Sequence, residues 1–290
     1  MAEPFDFAQS MRFLRGFGPM SGEQEVGEGR ITKAITVDGQ TIVFRVGGRG
    51  EKPSGLTYEL LSREPLSDSV KNSVAERIAF FLSLADDVKP FYSIAKDRDA
   101  KFYPVIEGSW GLHHVKFPTL LEVCCWALLA QRVQRPIALR MKRVLAEKFG
   151  GSLEVEGKTY SAFPDYAKLG PATPKELLEA TRNQRAVQRL TSLLMNFGEL
   201  DERFLRTAPY DKATERLQKV RGIGDWSSHF ILFRGLGRVE RLQPIDFRPI
   251  AEVIKKVYGP KGKTLEEVNS TYGKLSGYWS LYLRASTMGP

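Results

Sequence analysis

The chain has 290 residues, 42% hydrophobic and 27% charged, which is enough for two domains or one large one with a full core. A net charge of +9 points to a polyanionic partner, and no apolar run approaches the roughly 20 residues that a membrane span needs. The only cysteines, Cys124 and Cys125, are neighbours, which excludes a disulfide framework and the four thiolates of an iron–sulfur cluster; His113, His114 and His229 do not make a zinc site.

The charge is unevenly spread. Residues 1–115 carry 14 Lys/Arg and 16 Asp/Glu, while residues 116–290 carry 29 and 18. The positive excess lies wholly in the second segment. The first residues hold no secretory apolar region, so an intracellular, cytoplasmic protein is expected.

In chain order, residues 30–37 and 40–46 are rich in β-branched side chains and flank Asp38-Gly39, a strong hairpin signal. Residues 47–51 read as a loop and 56–61 as a further strand. Residues 67–84 have helical spacing, with Ser67 as N-cap. The first segment is thus a small α+β unit over residues 1–115. From Phe117 onward the pattern is helical. Pro118-Thr119 opens one helix, Pro136 a second and Thr173-Pro174 a third. Further helices fit 184–196, 213–219, 225–236, 247–258, 263–271 and 278–285, and residues 152–161 fit a short hairpin. Helices joined by short turns imply an orthogonal bundle over residues 116–290.

The stretch Val220-Arg221-Gly222-Ile223-Gly224-Asp225-Trp226 stands between two of these helices. Two glycines so spaced make a tight turn whose N–H groups face outward, where an anion, most often phosphate, can sit. Asp246 follows 22 residues after Gly224, just before the next apolar helix. Taken alone it reads first as an N-cap, a reading compatible with a functional acid. The run Arg132, Arg135, Arg140, Lys142 and Arg143 reads as a solvated helix face or as phosphate contacts. Arg248 reads as a partner for Asp246 or for phosphate.

The stretch from Leu217 to Phe230, followed by Pro244-Ile245-Asp246, resembles the helix-hairpin-helix and Gly/Pro/Asp signature of base-excision DNA glycosylases. It is most similar to the 3-methyladenine DNA glycosylase II group of bacteria and archaea. Leu128 to Val133 resembles that group's helix ending in a Gln and a wedge residue. Gly277 to Leu283 resembles its closing helix, and the N-terminal strands resemble its TATA-binding-protein-like first domain. The resemblance implies a mainly α fold with an N-terminal α+β unit: a helix-hairpin-helix glycosylase bundle plus a TATA-binding-protein-like antiparallel sheet domain.

It also implies roles. Asp246 would be the catalytic carboxylate. Gly222, Gly224 and Arg221 would meet the DNA backbone, and Gln131 and Arg132 would lie at the wedge. The backbone carbonyls of Gln218, Val220 and Ile223 would hold a structural Na+ or K+, with no other cofactor required. Bifunctional relatives carry a lysine two residues after the second glycine. Trp226 stands there, which implies a monofunctional enzyme without strand cleavage.

The implied function is hydrolytic excision of flipped, alkylated purines (3-methyladenine-like) from duplex DNA by a monomer. Breaking the N-glycosidic bond builds positive charge on the sugar, which a carboxylate stabilises. Alkylated purines are cationic, and aromatic faces attract cations by roughly 0.5–2 kcal/mol. Trp226, Phe230 and Trp279 are the candidates for the base pocket. Oxidised or deaminated bases remain an alternative substrate, and a non-catalytic helix-hairpin-helix DNA-binding protein an alternative function.

Overall fold

The computed structural model describes residues 1–48 and 55–288. The elements run α1 (Phe7–Gly16), β1 (Gln24–Gly27), β2 (Arg30–Val37), β3 (Gln40–Gly48), β4 (Leu56–Leu61), α2 (Asp68–Phe81), α3 (Lys89–Arg98) and α4 (Tyr103–Glu107). Then follow α5 (Leu120–Leu129), α6 (Arg135–Phe149), β5 (Ser152–Val155), β6 (Lys158–Ser161), α7 (Tyr166–Leu169), α8 (Pro174–Thr181), α9 (Gln184–Asn196) and α10 (Glu202–Thr207). The chain ends with α11 (Tyr210–Gln218), α12 (Asp225–Phe230), α13 (Pro244–Phe247), α14 (Ala251–Tyr258), α15 (Leu265–Tyr272) and α16 (Ser276–Ala285).

The four strands β1 to β4 form one antiparallel sheet in sequence order. The Asp38-Gly39 hairpin is present: Val37 pairs with Gln40, and both turn residues take positive φ (48° and 77°) as a two-residue turn of this hand demands. The hairpin expected over 152–161 is also present, turning at Glu156-Gly157. The loop expected over 47–51 starts later, because Gly47 and Gly48 still pair with Thr57 and Leu56. Residues 49–51 lie outside the described residues.

Strand alternation gives the sheet two buried faces. Ile31, Ile35, Ile42, Phe44 and Val46 join the main core, which runs from Met11 to Ala285. Ala34 and Val43 on the other face are covered by Leu153, Tyr160 and Ala162 of the β5–β6 hairpin. The sheet is therefore held between helices and a hairpin from the C-terminal half.

Every position of α5 is buried, which makes it the axial helix of the bundle. Thr119 caps it, its hydroxyl oxygen accepting the Glu122 N–H at 3.2 Å. Two expected helices are divided. The one over 225–236 ends as α-helix at Phe230 and continues through a π-turn, Ile231–Gly235. The one over 247–258 breaks at Pro249, which has no N–H to donate back to Ile245. Lys142 does not lie on a solvated face. It is 1% exposed, and its ammonium pairs with Glu122 (2.8 Å) and Glu23 (2.6 Å). Among the described residues no helix is long and apolar enough to cross a membrane.

Candidate active site and nucleic-acid interface

The turn between α11 and α12 is pinned from inside by Val220 and Ile223, 2% and 4% exposed. Gly222 takes φ 101°, a region that side chains avoid, and a Cβ there would lie 2.9 Å from the Arg189 side chain. Gly224 has ordinary extended backbone and nothing within 4 Å of where a Cβ would be. The first glycine is thus required by conformation, and the second leaves a bare backbone edge facing outward. The Gln131 carboxamide donates to the Gly222 carbonyl and to the Ser227 hydroxyl, both at 2.8 Å, so this side chain braces the turn. Arg132, next to it, is exposed and holds φ 57°. With Arg185 and Arg189 it makes a basic patch, in which burial and its two neighbours lower the pKa of Arg189. A groove of about 650 Å³ runs between residues 130–132 and 222–227.

Asp246 is the third residue of α13 and not an N-cap, since the helix begins at Pro244. Its Oδ2 accepts two hydrogen bonds of 2.8 Å, from the Gln243 N–H and from Nε2 of His229. Among the described residues no donor reaches Oδ1. The side chain is 14% exposed and faces a second cavity of about 560 Å³. Arg248 lines that cavity but makes no ion pair with Asp246; the imidazole takes that place.

Trp226 and Phe230, tilted at 30° with centroids 5.4 Å apart, form one wall of this cavity. Pro19 and Trp126, itself part of the main core, form part of another. Trp279 does not reach it. It is fully buried, donates its indole N–H to Tyr258 (2.8 Å) and packs on Phe247. Four arginines line the cavity, Arg135, Arg234, Arg248 and Arg284, of which Arg234 and Arg284 are the less exposed. Burial, with a smaller push from Arg284, brings the pKa of Arg234 down to about 9. Its one side-chain hydrogen-bond partner is His114 at 3.4 Å, a ring that burial keeps neutral. Burial also lowers Arg284, while Asp246 acts the other way. Among the described residues neither guanidinium has a carboxylate within 4.0 Å.

His229, Arg234 and Arg284 were not legible as site residues. The available signal was spacing: Trp226, His229, Phe230 and Phe233 recur at helical intervals, so the face that shows Trp226 also shows His229. The thiols of Cys124 and Cys125 are buried and free, and burial pushes both up, which makes them inert packing. Among the described residues no group of His, Cys, Asp and Glu could hold a metal ion. The Val220 carbonyl accepts the Ile223 N–H at 3.0 Å and keeps a second lone pair. The side chain of Gln218 donates to Asp225 (2.8 Å), which leaves its backbone carbonyl out of that contact.

Comparison with known proteins gives the fold a context. No family model matches the chain. A DNA-3-methyladenine glycosylase of Bacillus subtilis (strain 168) is 27% identical over 265 residues, covering 89% of this chain and 86% of that protein. The solved 3-methyladenine DNA-glycosylase of Archaeoglobus fulgidus superposes with a TM-score of 0.76 at 18% identity, over 99% of this chain and 97% of the other. An 8-oxoguanine glycosylase/lyase of Clostridium acetobutylicum, in complex with double-stranded DNA containing cytosine opposite 8-oxoG, gives 0.66 at 19% identity, over 94% and 91%. In sequence the chain is similar to a DNA-3-methyladenine glycosylase, and in fold to the solved 3-methyladenine and 8-oxoguanine DNA glycosylases.

Proposed function

We propose that the chain is a monofunctional DNA glycosylase that flips and hydrolytically excises alkylated purines from duplex DNA. One observation carries the reading. A carboxylate with one oxygen fixed and one free faces an aromatic cavity beside a hairpin whose second glycine leaves its backbone bare. Duplex DNA is the partner, bound by a monomer through the basic patch and the Gly222–Gly224 turn. The lost base costs a few kcal/mol in unstacking, so weakened pairs are favoured. The base enters beside Trp226 and Phe230. As the glycosidic bond breaks, positive charge grows on the sugar and the free Oδ1 of Asp246 stabilises it. The base takes the bonding electron pair, and water adds to the sugar carbon, losing its proton.

Two supporting points concern what surrounds the acid. No lysine lines the cavity among the described residues, which supports hydrolysis without a Schiff base. The carbonyls of Gln218, Val220 and Ile223 are neutral oxygen donors, the set that suits Na+ or K+. Such an ion would stiffen the turn and add positive charge beside the phosphate. A second reading, oxidised or deaminated bases as substrates, is favoured by Arg234 and Arg284. A neutral base leaves with negative charge, which two unpaired guanidiniums stabilise, whereas a cationic alkylpurine gains nothing from them.

The test is mass spectrometry of bases released from methylated, oxidised and deaminated duplexes, with a nicking assay in parallel. Release of 3-methyladenine without nicking is expected. Nicking without heat or base treatment would overturn the monofunctional reading, and no release from any duplex would leave only DNA binding.

A further inference from the structure

Asp246 is held by a chain of two hydrogen bonds that crosses three elements. Nε2 of His229, on α12, lies 2.8 Å from Asp246 Oδ2, and Nδ1 lies 2.8 Å from the Tyr210 hydroxyl on α11. We propose that His229, fixed by Tyr210, is the positioning residue for Asp246: it aims the free Oδ1 at the reacting sugar and ties the carboxylate to the DNA-gripping hairpin. This rests on Asp246 being the catalytic carboxylate.

The geometry sets the direction of both bonds. Burial above all, then Glu240, pushes the Tyr210 phenol up, so it keeps its proton and can donate to Nδ1. A neutral ring that accepts at Nδ1 carries its proton on Nε2 and donates it to Asp246. Oδ2 then has two donors, the imidazole and the Gln243 N–H, placed on different elements. Two bonds from independent directions fix the plane of the carboxylate, which one bond would leave free to turn. The imidazole is 3% exposed and packed on Phe233, with ring centroids 5.7 Å apart, so it cannot follow a wandering carboxylate. Tyr210 is clasped in turn by Arg238 and Arg241 over its ring, at 5.5 and 4.6 Å.

The choice of an imidazole has a chemical reason. A guanidinium in the same place would orient the carboxylate equally well but would neutralise it. A dipolar N–H orients it and leaves its charge for the sugar cation. His229 also lies in the helix that opens at the Gly224 turn, so the register of the phosphate on that turn is passed to Asp246 through one side chain. The charged and titratable groups around the imidazole are Tyr210 from α11, Asp246 from α13, Arg234 from the π-turn and, around the phenol, Arg238, Glu240 and Arg241.

The test uses single-turnover base release from a methylated duplex, with binding to an abasic-site duplex and thermal unfolding measured alongside. In H229L, release is expected to fall about 100-fold, while abasic-site binding changes less than about threefold. H229Q places an amide N–H near the position of Nε2 and is expected to recover about tenfold of that loss at the same thermal stability as H229L. Y210F is expected to slow release about tenfold without weakening binding. The outcomes separate the claims. H229L within threefold of wild type while D246N is inactive overturns the positioning role alone. A D246N protein at wild-type rate removes the catalytic carboxylate, and the positioning role with it.

Discussion

The two glycines of the turn give a prediction in which stability and DNA binding come apart. At Gly222, φ is 101° and a Cβ would lie 2.9 Å from Arg189 Cγ and 3.5 Å from Leu128 Cδ2. Forcing an alanine into positive φ costs about 1–3 kcal/mol, and the Arg189 stem can absorb part of the clash by turning. At about 2–4 °C per kcal/mol for a chain of this size, Gly222→Ala lowers the melting temperature by about 2–12 °C. Gly224 has ordinary backbone and open space where its Cβ would be, so Gly224→Ala costs under about 1 kcal/mol, the difference between two weak caps. A methyl group there nevertheless stands where a phosphate would approach the N–H groups, so binding of an abasic-site duplex falls. Thermal unfolding and a binding titration at fixed salt measure both. A Gly224→Ala protein that binds as wild type does, or that loses as much stability as Gly222→Ala, would refute the assignment of the bare edge to DNA.

Asp246→Asn keeps the shape and loses the charge, so release falls by about 10²–10³ while abasic-site DNA still binds; quantified release checks it. Lys142→Met leaves Glu122 and Glu23 buried without their shared partner and lowers stability by about 3–5 kcal/mol in denaturant unfolding. Burial alone would raise the Glu23 carboxyl, but Lys142 and Lys33 outweigh it and hold its pKa below the ordinary value. The stability this contributes is present above the ordinary carboxylate pKa and is lost as the pH falls through the lowered one, which acid unfolding of wild type against Lys142→Met tests. Arg284→Met removes one charged donor from the cavity and lowers release of neutral oxidised or deaminated bases about tenfold relative to cationic ones, read from the ratio of released bases.

Local features were legible in the sequence where local chemistry decides them. The Asp38-Gly39 turn, the Ser67 and Thr173 caps and the Gly222-x-Gly224 spacing each rest on the conformational preference of one or two residues. The helix α1 is amphipathic and capped by Asp6, but a short element near a chain end carries little periodic signal. Asp246 was legible as an acid near the turn, yet its partner was not, because His229 and Asp246 meet only through the π-turn and the return of the chain. Trp279 and Lys142 show the converse. Residue type gave an aromatic for a pocket and a cation for a surface, and tertiary packing placed both inside.

The cavity's charges constrain its chemistry more than its shape does. It holds one carboxylate, hydrogen-bonded to His229, and four arginines, of which Arg234 and Arg284 are the less exposed. An unpaired buried guanidinium is costly to keep, and Arg234 is held by the His114 imidazole at 3.4 Å and the Phe233 and Phe13 rings at 4.7 and 5.9 Å. None of these contacts cancels its charge. In the proposed base excision charge separates, with positive charge growing on the sugar and the electron pair leaving with the base. Asp246 would answer the first and the guanidiniums the second. A cationic lesion needs only the first, because it departs neutral. On the proposed function, the aromatic wall of Trp226 and Phe230 would accept either kind of base by its flat face, so the arginines, and not the aromatics, would set how far the range of lesions extends beyond the alkylated purines.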